Sequence, residues 1–246
     1  YQSSVTKVAT QVAERLETPF LVSISLSNII IERGFLYTFR VEPKVAYYCR
    51  DQLTFIEELG RRTGRPMRRV ALIHENTDFG TSTALAQKKA LRQGGFELVA
   101  QVAYVAEGAE DLRSQVDEVL ASQPDVILEV TYLNDSVLIR RALAEAGSEV
   151  PLIDLAGGAV SPGYVEQLGA LADGTFTMTE FSPYAPGGKE LNDRFRKRFG
   201  ADITGDSAYA YQAAWVLADA LGRAGRADRA ALRDAIAKTD LARGRH

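Results

Sequence analysis

Apolar residues fall into two rhythms along this chain. Val5, Val8, Val12 and Leu16 recur every three or four positions, which predicts an amphipathic helix over 4–17, capped by Ser3 or Ser4 and stopped at Thr18-Pro19. Phe20-Leu21-Val22 reads as a short strand, Ser23 to Asn28 as a hydroxyl-rich loop, and Leu36 to Val41 as extended chain broken by Pro43. A helix follows over 45–60. From Val70 a regular alternation sets in. Strands are predicted at Val70–Ile73, Phe96–Val105, Val126–Thr131, Leu152–Leu155 and Thr175–Phe181. Between them lie helices at 80–93, 111–122 and 134–146, the last capped by Asn134-Asp135, and one that begins at Ser161-Pro162. Short runs that are apolar on both faces and separated by helices predict a parallel sheet covered on both sides. Beyond Pro183 and Pro186-Gly187-Gly188 only helices are expected, at 189–199, 206–223 and 227–238. In the middle one Tyr209, Ala213, Val216, Leu217 and Ala220 form the apolar face.

The class is therefore α/β. The proline breaks bracket one doubly wound unit, lobe two, at 43–183, leaving 1–42 and 184–246 to a second lobe, lobe one. In open parallel sheets ligands bind beyond the carboxyl ends of the strands, where helix N-termini offer unpaired N–H groups. That rule selects His74–Phe79, Tyr132–Asp135 and Ala156–Ala159 on one lobe, and Ser3-Ser4 with Ser23–Asn28 on the other, converging on a cleft between them. Each has a plainer reading. Ser3 and Ser4 cap a helix, Phe79 is a hydrophobic staple or core residue, Tyr132 covers a sheet edge, and Gly157-Gly158 is a turn. Glu129, inside an apolar strand, is either paired structurally or faces the cleft.

Composition narrows the function classes. Hydrophobic residues make up 46% and charged residues 25% of 246, with a net charge of −3 and no basic stripe for nucleic acid. No apolar run is long enough to span a bilayer, and no signal peptide is read in this chain. The single Cys49 is read as inert packing. With only His74 and His246 and no cysteine pair, neither a metal site nor a cofactor is expected. There is no Walker lysine, no GxGxxG and no nucleophile elbow. His74, Glu75 and Asp78 are the only acid–base candidates for an enzyme.

Taken in order, "YQSSVTKVATQVAE", "PFLVSISLSNIIIERGFLYTFRVEP", "RRVALIHENTDFGTSTA", "QPDVILEVTYLNDSVLIRRALAEAG", "PLIDLAGGAVSPGYVEQLGALADG" and "DSAYAYQAAWVLADALG" resemble the type I periplasmic binding proteins. The similarity is to the leucine/isoleucine/valine-binding subfamily of ABC-transporter solute receptors. It implies a two-lobed fold, each lobe a doubly wound parallel sheet flanked by helices, with lobe one incomplete in this chain. It implies a non-enzymatic, monomeric receptor, periplasmic or anchored outside the membrane, that closes on a small solute and delivers it to an ABC permease. By position, Ser3 matches the serine that holds a ligand carboxylate at a helix N-terminus, with Ser4 beside it. The Ser23–Ser27 loop, with Ile24, Ser25 and Leu26, matches the segment that supplies a backbone carbonyl and a hydroxyl. Phe79 matches an aromatic that closes over the ligand, and Tyr132 another that lines the cleft. Two positions depart from the pattern: Gly157 stands where an acid usually meets an α-ammonium, and Leu26 where a hydroxyl is usual. Either Glu129 or Asp135 substitutes for that acid, or the solute is an aromatic carboxylate, an amide or a urea-like compound. A ligand-sensing regulator of a signalling partner, on the same fold, is the rival class.

Overall fold

The computed structural model describes residues 1–241. They separate into two units, one of Tyr1–Pro43 with the residues from Glu180 onward, the other of Lys44–Thr179. The passages between them fall at 43/44 and 179/180.

In the first unit, α1 (Ser3–Arg15) is followed by β1 (Phe20–Val22) and β2 (Thr38–Arg40). The two strands pair in parallel with Phe20 opposite Thr38. The helix forms where its periodicity predicts, but turned the other way. Ser3, Thr6, Thr10 and Ala13 are buried, whereas Val5 and Val8 are each 61% exposed and Val12 and Leu16 also face outward. Hydrogen bonds hold the inner face. The Thr10 hydroxyl donates to the Thr6 carbonyl at 2.7 Å, and the Arg33 guanidinium donates to the Lys7 carbonyl at 2.9 Å and to the Thr10 hydroxyl. The cap also differs: Gln2 occupies the N-cap position, Ser3 is already helical, and no side chain caps the first turn.

The second unit carries α2 (Val45–Thr63), β3 (Arg69–Glu75), α3 (Asp78–Gln93), β4 (Glu97–Tyr104), α4 (Arg113–Ala121) and β5 (Val126–Val130). Then come α5 (Leu133–Glu145), β6 (Leu152–Asp154), α6 (Pro162–Leu168) and β7 (Thr175–Thr177). Its five strands form one parallel sheet in the order β4-β3-β5-β6-β7. Alternate residues feed two cores. Ala71, Ile73, Ile127 and Leu152 pack on one face with Ile139 and Leu143 of α5. Val70, Leu72, Leu128 and Ile153 pack on the other with Ile56 of α2 and Leu91 of α3. Each fully buried aliphatic side chain contributes roughly 1.5–3 kcal/mol. Cys49 is 1% exposed on α2, and burial pushes its thiol up to about 12. Two expectations are corrected. The strand expected over Thr175–Phe181 ends at Thr177, because the chain leaves the unit two residues later. The cap of α5 is Tyr132, not Asn134-Asp135, because Leu133 is already helical.

After the second passage, α7 (Gly188–Phe199), α8 (Gly205–Ala224) and α9 (Arg229–Ala237) complete the first unit. Thr204 starts α8 with a capping box shared with Ser207. Of the apolar face expected on α8, Val216 and Ala220 are buried and Leu217 is 37% exposed. Ala220 packs with Ala235 and Ile236 of α9. His246 lies outside the described residues.

Candidate functional site

The carboxyl ends of β3, β5 and β6 place one group of residues together in the second unit. At the end of β3, Glu75 is completely buried, and its carboxylate accepts from the Thr77 N–H at 2.5 Å, the Thr77 hydroxyl at 2.9 Å and the Gly80 N–H. An anion there suits the positive end of α3. Glycine is required at 80, since a Cβ would run into the Glu75 carbonyl. This tight turn sets Phe79, which is 7% exposed, with its ring centroid 5.4 Å from that of Tyr132 at a 43° tilt. Tyr132 is half-buried. It stands at the α5 N-cap, where its N–H is held by Asp135, whose carboxylate also accepts the Tyr104 hydroxyl at 3.2 Å.

Gly157 completes the group. It is buried, and a Cβ there would lie 3.5 Å from the Phe79 ring and would collide with the Thr131 carbonyl. Beneath it, Asp154 accepts from Gly157 N–H at 2.9 Å, Gly158 N–H at 3.3 Å and the Thr177 hydroxyl at 2.8 Å. Its strand neighbour Glu129 is fully buried; one carboxyl oxygen accepts the Ser136 hydroxyl at 2.6 Å, and among the described residues the other has no hydrogen-bond partner. Burial, reinforced by Asp154, holds the Glu129 carboxyl far above the usual carboxylate range. Burial also raises Asp154 to about 6, against the pull of the Thr177, Gly157 and Gly158 donors. Phe79, Tyr132 and Gly157 thus make an aromatic face underlain by acids that are turned inward.

The acid–base constellation does not form. His74 is 3% exposed, with Nδ1 2.8 Å from the Glu75 carbonyl and Nε2 3.2 Å from the Gln101 amide, while the Glu75 carboxylate is committed to the start of α3. Among the described residues no group of three or more His, Cys, Asp or Glu is placed to hold a metal ion.

In the first unit the expected residues gather at the start of α1. Ser3 is 2% exposed and its hydroxyl accepts the Ser27 N–H at 3.4 Å, while Ser4 is half-buried. The Ser25 hydroxyl donates to the Tyr1 carbonyl at 2.8 Å and lies 2.6 Å from the Thr6 hydroxyl. The Ser25 N–H donates to Glu42 at 2.7 Å. Ile24 is half-buried and Leu26 is 5% exposed. The Arg40 guanidinium clamps the loop by donating to the carbonyls of Ser25, Leu26 and Ser27 at 3.0–3.3 Å. Among the described residues the buried Ser27 hydroxyl has no partner. Burial raises Glu42 to about 7, opposed by the Ser25 N–H and Arg40 and helped by Glu180 and Asp206.

Sequence reasoning missed Glu42, Arg40, Asp154 and Thr177. Asp154 had a signal, an acid inside "PLIDL" like Glu129 inside "VILEV". Glu42 had only its place before Pro43.

Comparison with known proteins follows the same lines. A Leu/Ile/Val-binding protein homolog 7 of Brucella melitensis is 27% identical over the whole chain, and the chain spans 64% of that relative's length. A putative branched-chain amino acid ABC transporter structure from Rhodospirillum rubrum is 26% identical with a TM-score of 0.73, covering 98% of this chain and 68% of that one. A leucine-binding protein from Thermotoga maritima shares the fold with a TM-score of 0.84 at 21% identity, covering 95% of this chain and 65% of that one. The model of the family described as periplasmic binding protein matches residues 1–244, and the chain belongs to that family.

Proposed function

We propose that this chain is the solute-binding part of an extracytoplasmic, non-enzymatic receptor serving an ABC importer. Its solute is a small amino-acid-like, aromatic-acid or amide compound. The observation that carries this reading is the aromatic face of Phe79, Tyr132 and Gly157 at the carboxyl edge of the sheet, where an apolar solute group finds ring surface. The start of α1 supports it. Its first-turn N–H groups have no side-chain cap and suit a solute carboxylate, with Ser3 and Ser4 in that turn and the Ile24–Leu26 loop tied to its start through the Ser25 hydroxyl. In this reading the two faces engage one solute as the units close, and the closed protein meets permease subunits in the membrane. The names of the relatives, leucine-, isoleucine- and valine-binding, support a carboxylate with an apolar side group. Among the described residues no helix is long and apolar enough to cross a membrane.

The test is calorimetric titration of the full-length protein with leucine, isoleucine, valine, aromatic acids and their amides. Phe79→Ala or Tyr132→Ala is expected to weaken the best solute about tenfold to a hundredfold, each tenfold being about 1.4 kcal/mol. Binding unchanged in both variants would remove the aromatic face from the reading.

A further inference from the structure

Asp154 has no part in the solute contacts just described, yet it organises one side of them. Residues Leu155 to Gly158 form a strap whose path departs from the strand at once. The Leu155 N–H still donates to the Glu129 carbonyl at 3.2 Å, but Ala156 sits at φ +52°, a left-handed conformation that a residue with a side chain rarely adopts. The next two residues admit no side chain. A Cβ on Gly157 would collide with the Thr131 carbonyl, and one on Gly158 with the Ser136 side chain. What holds the chain in this path is the fully buried Asp154 carboxylate, which draws in the Gly157 and Gly158 N–H groups and is itself fixed by the Thr177 hydroxyl on β7.

We propose that Asp154 is the positioning residue for solute selectivity, holding the side-chain-free Gly157 of the strap against the Phe79 ring so that a branched or aromatic solute group fits there. The inference rests on the solute-receptor reading and deepens it. With the Gly157 and Gly158 N–H groups turned toward Asp154, the glycine end of the strap offers a backbone surface beside the Phe79 ring. Such a surface favours apolar bulk. A small solute leaves it wet, and a strap displaced by even an ångström gives the large solute no advantage.

The experiment uses the full-length protein and solutes paired by polar end and differing only in bulk: leucine with alanine, 3-phenylpropanoate with propanoate, leucinamide with alaninamide. The readout is the ratio of the two Kd values within a pair, which partial unfolding does not move. Wild type is expected to favour the bulky member at least tenfold in any pair it binds. Asp154→Asn, which sets an amide N–H among the strap's donors, is expected to cut that ratio tenfold or more. Thr177→Val, which removes only the supporting hydroxyl, should cut it less and in the same direction, and it keeps the test open if Asp154→Asn does not fold. Parallel loss of both affinities at constant ratio would reduce Asp154 to a structural part and overturn the inference. Failure of the wild type to bind any member of any pair would overturn the solute-receptor reading itself.

Discussion

Glu42 makes the stability of the first unit depend on pH in a direction opposite to that of a salt-bridged acid. Glu42 is 8% exposed, and burial carries its carboxyl from 4.5 to about 7 despite the Ser25 N–H and Arg40. A folded-state value above the unfolded one means that the folded protein holds this proton more tightly. The contribution to stability is therefore complete below pH 4.5 and is lost as the pH rises through 7. At about 1.36 kcal/mol per pH unit, the interval amounts to roughly 3 kcal/mol. Glu42→Gln removes the charge and keeps an oxygen for the Ser25 N–H. The variant should match the wild type near pH 4 and exceed it by about 3 kcal/mol near pH 8. Relieving the repulsion on Asp206 and Glu180 acts in the same direction. The assay is urea denaturation of both proteins at the two pH values, taking the difference in unfolding free energy so that other titrations cancel. A difference that stays the same to within about 0.5 kcal/mol at both ends would refute the reasoning.

Other outcomes follow from single contacts. Gly157→Ala forces a methyl onto the Thr131 carbonyl and is expected to cost about 1–3 kcal/mol, with loss of solute affinity, read by thermal melting and titration. Ser136→Ala removes the donor to Glu129 and leaves that buried carboxyl without its hydrogen bond, a cost of about 1–3 kcal/mol in chemical denaturation. Thr204→Ala breaks the capping box of α8 and should cost about 1 kcal/mol, visible in the same assay and absent for Thr204→Ser.

The middle of the central sheet was legible because β3, β5 and β6 are apolar on both faces. Val70–Ile73 and Val126–Val130 have no alternative burial, and the helices between them are marked by glycine and proline stops. The orientation of α1 was not. A period of 3.6 identifies a stripe but not which side meets the protein, and here hydroxyls and Arg33 bind the inner side more specifically than valines would. The same limit applies to Leu217 on α8. Phe79, Tyr132 and Gly157 were placed by a positional rule for parallel sheets, and the structure brings those three side by side. His74, Glu75 and Asp78 are only the acid–base candidates that an enzyme would need, and the turn geometry makes Glu75 a helix anchor instead. Asp154 and Glu42 depend on donors distant in sequence, Thr177 and Ser25, which no local pattern announces.

Cys49 has a practical consequence. Thiols react with maleimides as the anion, and a buried group raised to about 12 presents on the order of one anion in a hundred thousand at neutral pH. The native chain therefore serves as a labelling blank. A cysteine introduced on an exposed position beside Tyr132 would take a fluorophore alone, turning solute capture into an optical signal without removal of the native thiol.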